Sequence, residues 1–427
     1  MRFHRLPGLV LVASLVSLSS ACVVHTEGGF SFLQGGETAE RRETLALEVA
    51  AGETLDVELV YGDISVRAME GEAARVDAHW KANAPDQATA EAVLERYKLE
   101  LVREHGTLRV RTVGTPLDSK RGLLTQRLAP GVSLVMTVPP GVRMNAKSGS
   151  GEISARGALG SCSLSSSYGD VSAEGTRGDA SLSSSSGKVE VSDIQGESVV
   201  LTSQYGDVSA EKVQANTVRL KTSSGDVSAR DVAGKVELHS SYGSLSLRQV
   251  GGDIEGTTSS GDIDAEFEGS AQRKLVTSYG SIRVRGGSGS LEAKTSSGDV
   301  DIDRAGGSLS AASSYGDVSA RGVWQQVDAN SSSGAVEIFA EAGSTAAQPW
   351  KIITSYGDVR LEIPADMNCE INARASSGDV ECDFGTASDS ERKSLRRTVG
   401  TGGNTLDLKS GSGDVQIRKH SQSKGPI

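Results

Sequence analysis

The sequence has 427 residues, enough for two or three ordinary domains or for one long repeat array. Aromatic residues make up only 4% of it, whereas a conventional core of this size relies on Phe, Trp and Tyr for much of its buried surface. The formal net charge of −11 at pH 7 argues against a nucleic-acid partner and gives no long-range attraction to an anionic membrane. A thin, repetitive β-rich core fits this composition best.

Residues 1–21 have the pattern of a bacterial export signal. A basic start is followed by a short apolar segment from Leu9 to Leu18, which is too short to span a bilayer as a helix. The small residues before Cys22 resemble a lipoprotein signal, although Ser19 stands where such signals usually carry Leu. We therefore expect Cys22 to be lipidated. The alternative is an ordinary secretory signal that contains a cysteine.

The residues after Cys22 predict where the protein is anchored. Val23 follows the cysteine where an Asp would signal retention at the inner membrane, so the pattern resembles that of outer-membrane lipoproteins of Gram-negative bacteria. Residues 22–43 are polar and contain glycine, as expected of a lipid-anchored tether. The predicted location is the cell envelope, with the membrane contacted through the lipid.

Three cysteines remain after the predicted lipidation site, at Cys162, Cys369 and Cys382. The odd number argues against a full disulfide framework. Either Cys369 and Cys382 form one bridge in an oxidising envelope, or all three are small side chains that fill an inward-facing position.

Residues 44–140 predict an N-terminal β-rich cap with one helix. Apolar residues alternate with polar ones in four segments, at 45–49, 55–59, 108–113 and 132–136. Helical spacing predicts a helix over 86–101. A cap is expected here because the exposed sheet edge at the end of a repeat array would otherwise pair with another chain.

Residues 141–384 form a repeat array when they are aligned on one anchor glycine. Most neighbouring anchors are 18 or 19 residues apart, and the last two intervals are 23 and 21 residues. The anchors are Gly151, Gly169, Gly187, Gly206, Gly225, Gly243, Gly261, Gly280, Gly298, Gly316, Gly334, Gly357 and Gly378. Each unit shows period-two alternation, as in Val227-Ser228-Ala229-Arg230, which is typical of a strand with one buried face.

Two further copies of the motif flank the array. Gly413 lies in residues 385–418, which we interpret as a C-terminal closing repeat before a tail at 419–427. A weaker copy occurs early, at Tyr61-Gly62-Asp63.

One unit cannot bury its apolar face alone, so we expect the units to stack in register. The fold class predicted is all-β, a single-stranded β-solenoid of about 18-residue repeats, and the usual hand of parallel crossovers favours a right-handed one. An antiparallel meander is the main alternative. The rung length is also open, because the motifs alternate and a rung of about 37 residues would place them on separate edges.

The residue before the anchor glycine alternates between Tyr and Ser. Every second unit has a tyrosine, namely Tyr168, Tyr205, Tyr242, Tyr279, Tyr315 and Tyr356. The units between them have Ser186, Ser224, Ser260, Ser297, Ser333 and Ser377. Either each ring covers the core at its turn, or the rings form a ladder that faces a ligand such as a carbohydrate.

Aspartate follows the anchor glycine in most units. One interpretation is that the stacked carboxylates attract Ca²⁺, and the simpler one is that each Asp stabilises its own turn. The histidines are too far apart in sequence to predict a metal pair. The sequence has neither a nucleophile elbow nor a phosphate-binding loop that leads into a helix. We therefore predict no enzymatic activity, cofactor or metal site.

These features together resemble the putative-adhesin family of bacterial envelope proteins. The resemblance covers roughly residues 44–418 and rests on Tyr61-Gly62-Asp63-Ile64-Ser65-Val66, on Val138-Pro139-Pro140-Gly141-Val142 and on the recurring Gly-Asp-Val units. It implies a β-solenoid and a role in surface adhesion or envelope scaffolding. The function expected is that of a non-enzymatic, adhesin-like or structural lipoprotein with a cell-surface glycan or protein as partner. The alternatives are a glycan-binding module that uses the tyrosines and a polysaccharide-active β-helix enzyme.

Overall fold

The computed structural model describes residues 36–121, 124–385 and 393–420. The predicted signal peptide (1–21), Cys22 and most of the predicted tether lie outside these ranges, as do residues 386–392 and 421–427. The described residues form two compact units, one ending at Gly187 and the other beginning at Lys188. Within the described ranges, no helix has the length and apolarity needed to cross a membrane.

The first unit contains one helix and two sheet walls. Its elements are β1 (Glu37–Ala46), β2 (Thr54–Leu59), β3 (Ile64–Ala68), β4 (Arg75–Ala84), α1 (Gln87–Glu95), β5 (Tyr97–Glu104), β6 (Thr107–Gly114), β7 (Leu117–Arg121), β8 (Leu124–Leu128), β9 (Gly131–Val138), β10 (Arg143–Ser148), β11 (Ile153–Arg156), β12 (Ser161–Ser166), β13 (Val171–Glu174) and β14 (Ala180–Ser184). One wall has the order β5-β6-β2-β10-β12-β14 and the other β1-β4-β9-β3-β11-β13. Strands β7 and β8 form a separate antiparallel hairpin.

The early motif at Tyr61-Gly62-Asp63 belongs to the stack of the first unit. β2 pairs in parallel with β10 on one side and with β6 on the other. β3 lies in the same way between β11 and β9. The segment predicted as a cap (44–140) therefore supplies rungs of the stack as well as its covering strands, and β1 begins inside the segment predicted as a tether (22–43).

The end of the first unit is covered by antiparallel strands and the helix. α1 begins after Asp86, whose side chain accepts a hydrogen bond from the N–H of Thr89 at 2.8 Å. The prediction of a helix over 86–101 is wrong beyond Glu95, because Tyr97 opens β5, which pairs antiparallel with β6. Arg41 holds this region together: it donates to the carbonyl oxygens of Leu94 and Tyr97.

The second unit also has two walls. Its strands are β15 (Val189–Gln195), β16 (Ser198–Ser203), β17 (Val208–Lys221), β18 (Val227–His239), β19 (Leu245–Val250), β20 (Ile254–Thr257), β21 (Ile263–Phe267), β22 (Arg273–Val276), β23 (Ile282–Gly286), β24 (Ser290–Lys294), β25 (Val300–Ser313), β26 (Val318–Ser331), β27 (Val336–Ala340), β28 (Trp350–Thr354), β29 (Val359–Pro364), β30 (Cys369–Ala375), β31 (Val380–Cys382), β32 (Ser394–Val399), β33 (Thr405–Ser410) and β34 (Val415–His420). Four long strands, β17, β18, β25 and β26, run through both walls of their rung.

Parallel pairing fixes the length of one rung, meaning one two-walled turn of the stack. Val208 pairs with Val227, and Val227 pairs with Leu245, so equivalent residues are 19 and 18 positions apart. The all-β solenoid is confirmed. The antiparallel meander and the 37-residue rung are both wrong, because consecutive units pair in parallel with each other.

The bend between the two walls lies six residues after the anchor glycine. Gly157 and Gly175 have positive φ there, and so do five non-glycine residues, namely Asp193 (φ 52°), Lys212 (φ 52°), Asp231 (φ 53°), Gln249 (φ 55°) and Arg304 (φ 53°). A left-handed conformation costs a non-glycine residue about 1–2 kcal/mol. The stack imposes this conformation repeatedly, which shows that in-register pairing on both sides outweighs the local cost.

The last segment of the chain is not the last rung of the second unit. β33 lies between β28 and β30, and β34 lies between β29 and β31. Residues 405–418 of the predicted closing repeat (385–418) therefore lie between the rung formed by residues 350–364 and the rung formed by residues 369–382. The outer side of β30 is covered by the antiparallel strand β32.

The three cysteines in the described part of the chain form no disulfide. Cys162 and Cys369 are buried, and Cys382 is half-buried. Burial raises the pKa of Cys162 to about 11. Burial, with a smaller effect from nearby Cys382, also raises the pKa of Cys369 to about 11. These thiols match the interpretation of small space-filling side chains rather than that of a bridge.

Candidate functional site

The predicted tyrosines lie on an exposed edge where one wall turns into the other. In the second unit the rings of Tyr205, Tyr242, Tyr279, Tyr315 and Tyr356 are between 67% and 72% exposed. In the first unit Tyr168 is 72% exposed. Rings this open do not cover the core, so the first interpretation of the tyrosines is wrong. Their role in facing a ligand stays a prediction.

The anchor glycine beside each tyrosine is required by close approach of stacked backbones. A Cβ on Gly280 would lie 2.0 Å from the carbonyl oxygen of Gly261, and one on Gly243 would lie 1.9 Å from that of Gly225. No side chain fits in that space, whatever the value of φ. The glycine column therefore brings successive turns together and sets the spacing of the edge.

A buried hydroxyl three residues before nearly every anchor glycine connects successive turns. Oγ of Ser240 donates to the carbonyl oxygen of Gly225 in the preceding rung at 3.0 Å, and it accepts from the N–H of Gly243 at 2.9 Å. Thr277 makes the same two bonds, to Gly261 and from Gly280. We call this set the hydroxyl column. In the second unit its donors to the preceding rung are Thr222, Ser240, Thr258, Thr277, Thr295, Ser313, Ser331, Thr354 and Ser410.

The aspartates after the anchor glycines also connect neighbouring rungs. Oδ1 of Asp226 accepts from the backbone N–H of Ser244 in the next rung at 2.8 Å, and Oδ1 of Asp317 accepts from that of Ala335 at 2.7 Å. These carboxylates therefore bond across rungs as well as lying at a turn. Among the described residues no group of three or more His, Cys, Asp or Glu is placed to hold a metal ion.

The hydrogen-bond columns of the second unit end at Lys393. Its ammonium group donates to the carbonyl oxygens of Ser377 and Gly378 at 2.9 and 2.7 Å, and it lies 3.3 Å from Oδ1 of Asp379. In interior rungs the equivalents of Gly378 and Asp379 bond to the next turn, as Gly225 does to Ser240 and Asp226 to Ser244. Lys393 thus stands in for a further rung at this end.

The outer face of the wall that contains β20, β22 and β24 forms a shallow groove of about 530 Å³. Its carboxylates are matched by cations: Glu255 binds Lys274 at 2.9 Å, and Glu292 binds Lys294. In the same face Lys235 and Arg219 lower the pKa of Glu237 through hydrogen bonds. A glycosidase needs two carboxyl groups whose environments give them different pKa values, one to act as acid and one as base. The carboxylates of this groove, each paired with a cation, do not resemble such a pair.

The geometry assigns different tasks to neighbouring residues of one motif. The hydroxyl, glycine and aspartate columns hold the rungs together, whereas the tyrosine ring projects away from the stack. The serines at the same position in alternate rungs are exposed as well, as at Ser224, Ser260 and Ser297. Large and small side chains therefore alternate along this edge, and the stacking of the rungs requires neither of them.

Comparison with known proteins gives one family and several distant structures. The model of the Toastrack DUF4097 family matches residues 72–286 and 325–418, which is more than half of the chain. No match is found among curated proteins. A crystal structure of a putative adhesin from Bacteroides fragilis is 17% identical, with a TM-score of 0.30, and the alignment covers 62% of this chain and 96% of that one. A putative adhesin from Parabacteroides distasonis is 11% identical, with a TM-score of 0.27 and coverage of 77% and 98%.

Proposed function

Since this chain belongs to the Toastrack DUF4097 family, we propose that it is a non-enzymatic, adhesin-like protein of the cell envelope. In this proposal Cys22 carries the lipid that anchors the chain to the outer membrane, and the β-solenoid presents the tyrosines to a partner on a cell surface. The observation that carries the proposal is the exposure of the tyrosine rings, which the stack itself does not use.

A regular series of exposed aromatic rings is typical of a surface that contacts a partner. Tyr offers a large apolar area with few rotatable bonds and a polar hydroxyl, which is why it is common in contact surfaces. The partner of the exposed tyrosines would be a surface protein or glycan, and the acidic net charge disfavours nucleic acid.

A glycan-binding module is the second candidate. It is supported by aspartates next to the rings, because a carboxylate can accept hydrogen bonds from sugar hydroxyls while a ring packs against the sugar face. A polysaccharide-active enzyme has less support, because the aspartates follow the stack in single file and bond to backbone N–H groups.

The anchoring part of the proposal is tested with whole cells that produce the wild type or the Cys22→Ser variant. We expect labelled palmitate to enter the wild type alone, and the Cys22→Ser variant to leave the membrane fraction. Equal labelling of both proteins, or none of either, would contradict the anchor.

The contact part is tested by the adhesion of these cells to surfaces that carry cells or glycans but lack this protein. A variant with Tyr205, Tyr242, Tyr279, Tyr315 and Tyr356 changed to Ser should reach the surface in equal amount and adhere less. Undiminished adhesion of this variant would show that the tyrosines are not the contact.

A further inference from the structure

The tyrosine edge of the second unit has a relief that is complementary to itself. We define it as the residues before the anchor glycines, from Tyr205 to Tyr356, in which large rings alternate with exposed serines. Neighbouring rungs are about 4.8 Å apart, so the rings stand about 9.6 Å from one another. That distance exceeds the range of roughly 4.5–7 Å between ring centroids in aromatic pairs. The rings of one chain therefore do not stack with each other, and each serine marks a gap of one ring.

We propose that the tyrosine edge binds the same edge of a second copy of this chain, with the rings of each copy filling the serine gaps of the other. Interleaving two ladders halves the ring spacing to about 4.8 Å, which falls inside the range of aromatic contact. This inference rests on the contact role proposed above for the tyrosines, and it adds a second copy of this chain as an occupant of the same edge, in competition with a foreign surface.

The regular spacing of the anchor glycines supports contact along the whole length of the tyrosine edge. A Cβ on the anchor glycine would lie 2.3 Å from the preceding carbonyl oxygen at Gly225, 2.1 Å at Gly261 and 2.2 Å at Gly316. The backbone at the edge therefore repeats closely from rung to rung. Rings carried by such a backbone keep a constant step, which interleaving requires.

Symmetry fixes how the two copies run. A two-fold axis along the stack would place each ring opposite the same ring of the other copy. A two-fold axis that crosses the edge at right angles to the stack reverses the order of the rungs, and it can bring every ring opposite a serine. Because two-fold contacts are the usual form of association between identical chains, the copies run antiparallel.

The area available is that of a weak, specific contact. A tyrosine ring that is about 70% exposed offers roughly 100 Å², so five rings give about 500 Å² per copy and about 1,000 Å² in total. This lies near the lower limit for a specific interface. Local concentration at a cell surface would favour such a contact without any need for high affinity.

The aspartate column opposes the contact and makes it dependent on salt. Asp207, Asp226 and Asp262 are exposed beside the rings, and an antiparallel two-fold arrangement places the two aspartate columns on the same side. Like charges separated by about 10 Å are largely screened at 0.1 M salt. Association should therefore strengthen as the salt concentration rises.

The test is sedimentation equilibrium of the full chain, made with Cys22→Ser so that a lipid cannot drive micelle formation. The first variant replaces all five tyrosines of the edge with Ser. The second fills the gaps by Ser224→Tyr, Ser260→Tyr, Ser297→Tyr and Ser333→Tyr. Alternate rungs already carry Ser or Tyr at this position, so both variants keep residues that the fold accommodates.

We expect the parent chain to form reversible dimers, with a lower dissociation constant in 0.5 M than in 0.05 M salt. In both variants the dissociation constant of the dimer should rise at least about tenfold. Loss in the gap-filled variant separates interleaving from simple aromatic stickiness, because more rings would strengthen the latter. A monomeric parent chain at all concentrations, or a gap-filled variant that dimerises as well as the parent, would overturn the inference. Cell adhesion to surfaces that lack the protein, measured as above, reports separately on the contact role of the tyrosines.

Discussion

The hydroxyl column makes one serine far more important than its neighbours. The side chain of Ser240 is fully buried and satisfies two backbone groups, the carbonyl oxygen of Gly225 and the N–H of Gly243. Ser240→Ala removes a single oxygen atom and leaves both groups buried without that partner. An unpaired buried polar group costs about 1–3 kcal/mol, so for the two groups we expect a loss of about 2–6 kcal/mol in the free energy of unfolding.

The assay is equilibrium unfolding in guanidinium chloride, combined with hydrogen exchange of the Gly243 amide. Exchange is included because repeat arrays open locally, and a local loss can exceed the global one. Ser259→Ala is the matched control: Ser259 is exposed and one rung away, so we expect a change within about 0.5 kcal/mol. Equal effects of the two variants on both measurements would refute the role of the hydroxyl column.

Three further predictions follow from the packing of the rungs. Gly280→Ala should destabilise the chain by at least about 3 kcal/mol, because its Cβ would lie 2.0 Å from a carbonyl oxygen. Gly251→Ala is the control: a Cβ there has nothing within 4 Å, so the free energy of unfolding should change by less than about 0.5 kcal/mol. Comparable losses in the two variants would contradict the close approach of the backbones at Gly280. Ala375 is buried and aligned with Ser410, so it occupies a position of the hydroxyl column without a hydroxyl. Ala375→Ser should therefore raise the unfolding midpoint by the equivalent of about 1 kcal/mol. A lower midpoint would contradict the role of the hydroxyl column at this position. The pKa of Cys162 is raised to about 11 in the folded chain, so its contribution to stability is complete below the pKa of the unfolded thiol and is lost as the pH rises towards 11. Relative to Cys162→Ala, the wild type should lose about 2–3 kcal/mol between pH 8 and pH 11, and parallel curves would contradict the burial of the thiol.

The repeat itself could be predicted from the sequence because it is local. Period-two alternation around a glycine every 18 or 19 residues predicts short strands and parallel stacking, and both are found. The resemblance to a family of β-solenoid proteins is likewise confirmed by the family match. The sequence pattern does not reveal why the anchor positions require glycine. Stacked backbones approach too closely for any side chain at Gly225 or Gly280.

The features that escaped prediction depend on which segments become neighbours. Nothing in the periodicity reveals that β33 lies between β28 and β30, because this order reflects pairing between distant segments. Helical spacing continues through Tyr97 to Leu101, but the same segment also has the alternation of a strand, in which Leu99 is buried. Pairing with β6 decides between the two.

A signal for the hydroxyl column was nevertheless present in the sequence. Ser or Thr stands three residues before nearly every anchor glycine, whereas Ala375 replaces it in the rung at the end of the second unit. Leu59, aligned with Ser148, replaces it in the early rung of the first unit. A strictly placed hydroxyl on an inward-facing position indicates a buried hydrogen bond, because burying it unpaired would be costly.

The measurement that tests the central claim most directly is the unfolding midpoint of the variant with Tyr205, Tyr242, Tyr279, Tyr315 and Tyr356 changed to Ser. If the rings serve contact rather than folding, the midpoint in guanidinium chloride, measured at a concentration where the parent chain is monomeric, should stay close to that of the wild type, because each exposed substitution changes stability by less than about 0.5 kcal/mol. A large cooperative loss of stability would contradict this, because it would show that the tyrosines hold the solenoid together.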